Sequence, residues 1–159
     1  MQMERQHIKG EYCFNINIYT MFNTFTLRLK EHNLITKNGI SFFLNKTIGL
    51  GDDTGVIGYV GVGTNPEEPK IEDTSLTNEI VFKDTEAKVE NNQIILTLTT
   101  IGENIDGTTE IGVYTTNNIL ISRDVHSEYV VPSTASVKLE YKFTLNQEDK
   151  TQEEEEEDD

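Results

Sequence analysis

Few residues in this chain have the types and spacing that chemistry asks for. Asp52-Asp53 and Glu67-Glu68 are adjacent carboxylate pairs. Glycoside hydrolysis uses two carboxylates, one raised in pKa by burial and both held at a set separation across the scissile bond. Neighbouring residues on a glycine or proline loop point apart and stay hydrated, so neither pair meets that need. The loop Gly49-Leu50-Gly51-Asp52-Asp53-Thr54-Gly55 offers oxygen ligands to a hard cation. It lacks the ligand number and closing bidentate acid of a calcium loop, and a plain flexible loop is expected. His7, His32 and His126 have no Cys or His at zinc spacing and are expected at the surface or in turns. Asn45-Lys46-Thr47 matches a glycosylation acceptor, which matters only in an exported protein. These residues predict no enzyme, no catalytic residue, no metal and no cofactor.

Composition narrows the partners. The chain of 159 residues carries a formal charge of −15, and residues 147–159 hold nine acids against Lys150 alone. That leaves about −7 on the body, which argues against nucleic acid, because phosphate binding needs clustered Lys and Arg. Cys13 is the single cysteine, so no intrachain disulfide can form. Met1 to His7 lacks the apolar segment of a signal peptide, and no apolar run approaches the roughly 18 residues of a spanning helix. A protein without membrane insertion, made in a cytoplasm, is expected.

The elements that must position any site are mostly strands. Phe14, Ile16 and Ile18, then Phe25, Leu27 and Leu29, alternate with polar residues and predict a strand pair turning at Asn23. Thr36 is a suitable cap for a short helix through Ile40, Phe42, Phe43 and Leu44. Seven of the eleven glycines lie from 39 to 63, ahead of, within and just past a strand from Val56 to Val62. After it, Pro66 and Pro69 stiffen a loop, and Asp73 is expected to cap one helical turn that buries Leu76 and Ile80. Val60 and Val62 alternate with Gly61 and Gly63, so small residues should face whatever packs closest. Phe82–Val89 and Gln93–Ile101 predict a hairpin, with a bulge or two-faced burial near Ile95. Thr109–Tyr114 and Ile119–Val125 predict a second, and Val137 to Leu145 alternates without a fault.

The pattern is all-β: an antiparallel β-sandwich over 12–146 with one short helix. Residues 1–11 read as an N-terminal extension and 147–159 as a disordered acidic tail, too charged to bury anything. The tail solvates the chain or docks on a basic neighbour.

Three stretches carry a resemblance. They are Asn33-Leu34-Ile35-Thr36 with Gly39, then Gly61, Gly63, Thr64, Pro69, Asp73, Thr74, Leu76 and Glu79, and finally Thr109, Glu110 and Gly112 leading to Leu120-Ile121-Ser122-Arg123. In this order they resemble small tail-associated virion proteins of bacteriophages, whose pattern is a Gly-Thr-Gly-Thr-like strand end, a proline loop, and Asp-Thr-x-Leu-x-x-Glu. The match spans roughly 12–145. The Pro66-Glu67-Glu68-Pro69 loop is more acidic than that pattern, and the acidic tail lies outside it. The resemblance implies a structural component of the tail, baseplate or fibre, located in the phage particle and contacting other virion proteins. It also implies a homo-oligomer, a trimer first and a larger ring second. Phe14 to Phe22, uncharged and alternating, is the strand expected to add to a neighbour. Two other readings share the fold: a carbohydrate- or receptor-binding adhesin that touches host-surface glycan, with strand aromatics such as Tyr114 and Tyr141 as stacking candidates, and a capsid decoration protein.

Overall fold

The computed structural model describes residues 9–19, 24–32, 34–91 and 93–146, with side chains for 34–91 and 93–142. The strands are β1 (Lys9–Tyr19), β2 (Thr24–His32), β3 (Leu34–Ile35), β4 (Ile57–Gly63), β5 (Ile80–Phe82), β6 (Glu86–Glu90), β7 (Gln93–Ile101), β8 (Glu110–Thr115), β9 (Leu120–Val125) and β10 (Ser136–Asn146). One helix, α1 (Lys37–Thr47), lies between β3 and β4. Two five-stranded antiparallel sheets result. The first has the order β2-β1-β10-β7-β6 and the second β3-β9-β8-β4-β5. The expected all-β architecture with one short helix is therefore what the chain adopts.

Alternation explains the core between the sheets. Val60, Val62, Ile111 and Val113 project from the second sheet, and Leu96, Leu98, Val137, Leu139 and Tyr141 from the first. Successive strand residues point to opposite faces, so each contributes every second side chain. Ile95 and Leu96 are both buried although they are neighbours, and the pairing of β7 with β6 and β10 keeps its register. Two-faced burial, not a bulge, accounts for the broken alternation there.

Three sequence expectations need correction. The run Phe82–Val89 is not one strand: it turns at Lys83–Thr85, leaving β5 in one sheet and β6 in the other. Thr85 holds that turn, its hydroxyl donating to Phe82 O (2.6 Å) and accepting from Val60 N–H (3.3 Å). The strand expected over Phe14–Phe22 is described as far as Tyr19, and that part is no open edge either, because β1 pairs with β10 on one side and β2 on the other. Among the described strands the edges of that sheet are β2 and β6. The strand also begins at Lys9, inside the expected extension. The turn at Asn23 and the acidic tail lie outside the described residues.

The helix starts where expected. Thr36 caps it, accepting from Gly39 N–H at 3.0 Å, and anchors it by donating to Leu120 O at 2.7 Å. Its rotation was not expected. Gly39 lies on the backbone of β9, where a Cβ would strike Ile121 O, so Gly39 and Phe42 form the inner face. Ile40 and Leu44 consequently face outward.

Candidate functional site

Most of the residues in the 61–79 and 109–123 stretches gather on the outer face of the second sheet, whereas Ile121 lies in the main core. Register explains how. Gly61 pairs with Gly112 and Gly63 with Glu110 across β4 and β8, while Gly112 pairs with Arg123 across β8 and β9. Directly paired residues share a face, as do residues two apart along a strand. Gly61, Gly63, Glu110, Gly112, Tyr114 and Arg123 therefore line one surface.

The loop from Thr64 to Glu79 lies on that surface, and three glycines make room for it. A Cβ at Gly63 would collide with Glu110 Oε1 and come within 2.7 Å of Thr77 O. One at Gly61 would meet the Tyr114 ring at 2.8 Å, and one at Gly112 would meet Leu120 Cδ1 at 2.7 Å. Leu76 fills the shallow trough and packs with Tyr114 and Leu120 as a separate small cluster. The small residues face Tyr114, Leu120 and Glu110 first and the loop next, through Leu76 and Thr77 O.

Charge fixes the loop in place. Arg123, 2 % exposed, donates from Nε to Glu110 Oε2 at 2.6 Å and from Nη1 to Asp73 Oδ2 at 2.9 Å. Its Nη2 donates to the backbone oxygens of Asn65 (3.2 Å) and Glu67 (2.9 Å). Glu110 is fully buried, and its Oε1 accepts from Asn65 N–H (3.1 Å) and Thr77 N–H (2.6 Å). Asp73 Oδ2 also accepts from Lys70 N–H at 2.8 Å. Asp73 therefore caps a turn and pairs with Arg123 instead of starting a helix, and Ile80, part of β5, is more than a third exposed. Charges this deeply desolvated persist only when paired and hydrogen-bonded, and this pair is both.

A second tie sits beside the first. The Tyr114 hydroxyl donates to Glu79 Oε2 and accepts from Leu76 N–H at 3.1 Å. Burial, reinforced by the Glu79 hydrogen bond, drives the phenol far above its ordinary pKa, so it remains a neutral donor. Thr64 closes the loop's base, its N–H donating to Thr77 O (3.0 Å) and its hydroxyl accepting from Asn78 Nδ2 (3.1 Å). Thr109 N–H donates to Gly63 O at 2.9 Å. The upstream stretch joins the same unit, since Lys37 N–H donates to Ile71 O at 2.7 Å. Pro69 is half-buried on the loop and Thr74 is exposed on it.

The other candidates do not join this cluster. Asp52 and Asp53 sit exposed on a short 3-10 turn. Glu67 and Glu68 are exposed, with only the Glu67 backbone reaching Arg123. Among the described residues no group of three or more His, Cys, Asp or Glu is placed to hold a metal ion. His126 departs from expectation. It is buried and stacks on Tyr129 with ring centroids 4.0 Å apart, and its Nδ1 lies 2.8 Å from Ser127 O.

Arg123 is the residue that sequence reasoning named without giving it a role. Its signal was a single cation in the short strand Leu120–Val125, placed by the hairpin opposite Gly112 and diagonal to Glu110. Chemically the arrangement is a clasp. Each oxygen of Glu110 accepts a hydrogen bond, all three guanidinium nitrogens donate, and the loop is their common object. Comparison with known protein families, curated proteins and solved structures finds no match.

Proposed function

We propose that this chain is a structural component of a bacteriophage particle, in the tail, baseplate or fibre, where it makes assembly contacts with other virion proteins and with itself. One observation supports this above the rest. The three stretches on which the resemblance stands are far apart in sequence, yet they meet in a single unit. Thr36 and Gly39 rest on Leu120 and Ile121, and the 61–79 stretch is clasped by Glu110 and Arg123. The clasp also makes a long irregular loop into a fixed surface, which suits a part that must present the same contact in every copy. Among the described residues no helix is long and apolar enough to cross a membrane.

The test is location. Antibody raised against the chain, applied to purified particles from the producing lysate, should label the tail or its appendages under electron microscopy. Particles free of the chain while the lysate contains it would sink the reading. Binding of the isolated protein to a glycan array would favour the adhesin instead.

A further inference from the structure

We infer that the outward face of α1 is a self-association surface that pairs with the same face of a second copy across a two-fold axis, the two helices running antiparallel. Ile40, Leu44 and Ile48 recur at four-residue intervals and are 49 %, 66 % and 70 % exposed. Residues so spaced form one ridge along a helix. Ile71, 47 % exposed, continues the ridge at the N-terminal end, where its carbonyl accepts from Lys37 N–H. Leu50, 56 % exposed, continues it at the other end, where its N–H donates to Asn45 O. Ile40, Leu44 and Ile48 thus form an exposed aliphatic ridge with exposed Ile71 and Leu50 near its two ends, the kind of apolar surface that marks a protein contact.

The rotation that creates this face is enforced. With Gly39 pressed on Ile121 O, the helix cannot turn Ile40 and Leu44 inward without lifting off β9.

Charge selects the occupant. Residues 37–51 contain no Asp or Glu in a chain that has 28. An acidic chain repels its own copies over most of its surface and can approach one closely where carboxylates are missing. The ends of the ridge are complementary under an antiparallel arrangement. Lys37 and Lys70 lie at the N-terminal end, with Glu72 beside them, and Asp52 and Asp53 lie just past the C-terminal end. Two-fold pairing brings the lysines of one copy to the aspartates of the other, twice. Ridges on the i, i+4 rows of two helices also interdigitate in the commonest crossing geometry. Leu44 sits at the middle of the ridge and so next to the axis.

This surface stands apart from the question of where in a particle the chain resides, and it names a two-fold contact where the resemblance implies a trimer. The experiment is sedimentation of the full chain over a wide concentration range, repeated on Leu44→Glu and Lys37→Glu. The wild type should form dimers or even-numbered assemblies. Leu44→Glu, a change on an exposed position that leaves the melting curve intact, should weaken association at least ~tenfold, and Lys37→Glu should weaken it less. Leu44→Cys in a Cys13→Ser background should form a disulfide-linked dimer under mild oxidation. A wild type monomeric at high concentration, an assembly indifferent to Leu44→Glu, or an assembly that Leu44→Cys fails to link would each overturn the inference.

Discussion

Two loops of this protein look alike in composition and behave as opposites. Residues 49–55 and 64–79 are both rich in conformationally special residues and acids. In the first, Gly49, Gly51 and Gly55 adopt positive φ, and Asp52 and Asp53 remain in solvent. In the second, Asp73 reaches Arg123, fifty residues away along the chain, and the backbone bends around Glu110 and Arg123. What separates them is the presence of a buried partner of opposite charge beneath one loop and not the other. An acidic loop becomes a rigid surface when the sheet below supplies a cation and enough missing side chains to let the loop approach.

The largest expected effect comes from removing that cation. Arg123→Ala leaves Glu110 buried with no counter-charge, a change that costs about 3–5 kcal/mol in comparable buried pairs. Urea denaturation should show the loss, and trypsin should begin to cut at Lys70 under native conditions. Unchanged protection at Lys70 would show that Leu76 packing alone holds the loop.

Gly63→Val attacks the same loop from its floor. The new side chain must displace Glu110 Oε1 or Thr77 O, and overpacking of this kind costs roughly 1–3 kcal/mol. Wild-type stability in that variant would show that the glycine is incidental.

Asp124 sharpens the contrast, because it is a buried acid adjacent to Arg123 in sequence but paired with Ile111 on the opposite face. Burial raises its carboxyl from the ordinary 3.8 to about 6, partly offset by a hydrogen bond from the Val125 backbone. The folded state therefore holds this proton more tightly than the unfolded one. The stabilisation is complete below about pH 4 and is lost as pH rises through about 6. Asp124→Asn should accordingly raise stability at pH 7.5 by about 1–2 kcal/mol and change it little at pH 4, read from paired urea titrations. A benefit that did not grow with pH would mean the Asp124 carboxylate is solvated.

The smallest effect belongs to the open loop. Asp52→Asn with Asp53→Asn should leave monomer stability within about 0.5 kcal/mol, as exposed changes usually do.

Much of the fold was legible because its signals are local. Strict alternation placed β10, the Thr36 cap placed α1, and Asn-rich turn residues 115–118 placed the hairpin of β8 and β9. What escaped was decided by contacts between distant segments. Nothing within Phe82–Val89 shows that the chain changes sheets there; that follows from Thr85 meeting Val60 in the middle of β4. Nothing within α1 shows which side faces in, since Ile40, Phe42 and Leu44 are all apolar and the choice rests on Gly39 meeting Ile121. The clasp was half legible. Asp73 has a local capping role in the sequence and Glu110 has none, because spacing alone does not reveal that the two share one arginine.

The pairing of β1 with β10 has a consequence for how the protein is made. Lys9 stands opposite Asn146, so the first and last described strands are neighbours along their full length. The second sheet draws only on residues between Leu34 and Val125, and everything it needs has been synthesised before β10 exists. The first sheet cannot close until β10, its central strand and the last of the ten in chain order, has been made. Contacts of such long sequence separation form slowly. On a nascent chain the hairpin of β1 and β2 must wait, one flank of β1 unpaired, through the translation of more than a hundred residues. That interval is when this protein is most exposed to mispairing with its own copies.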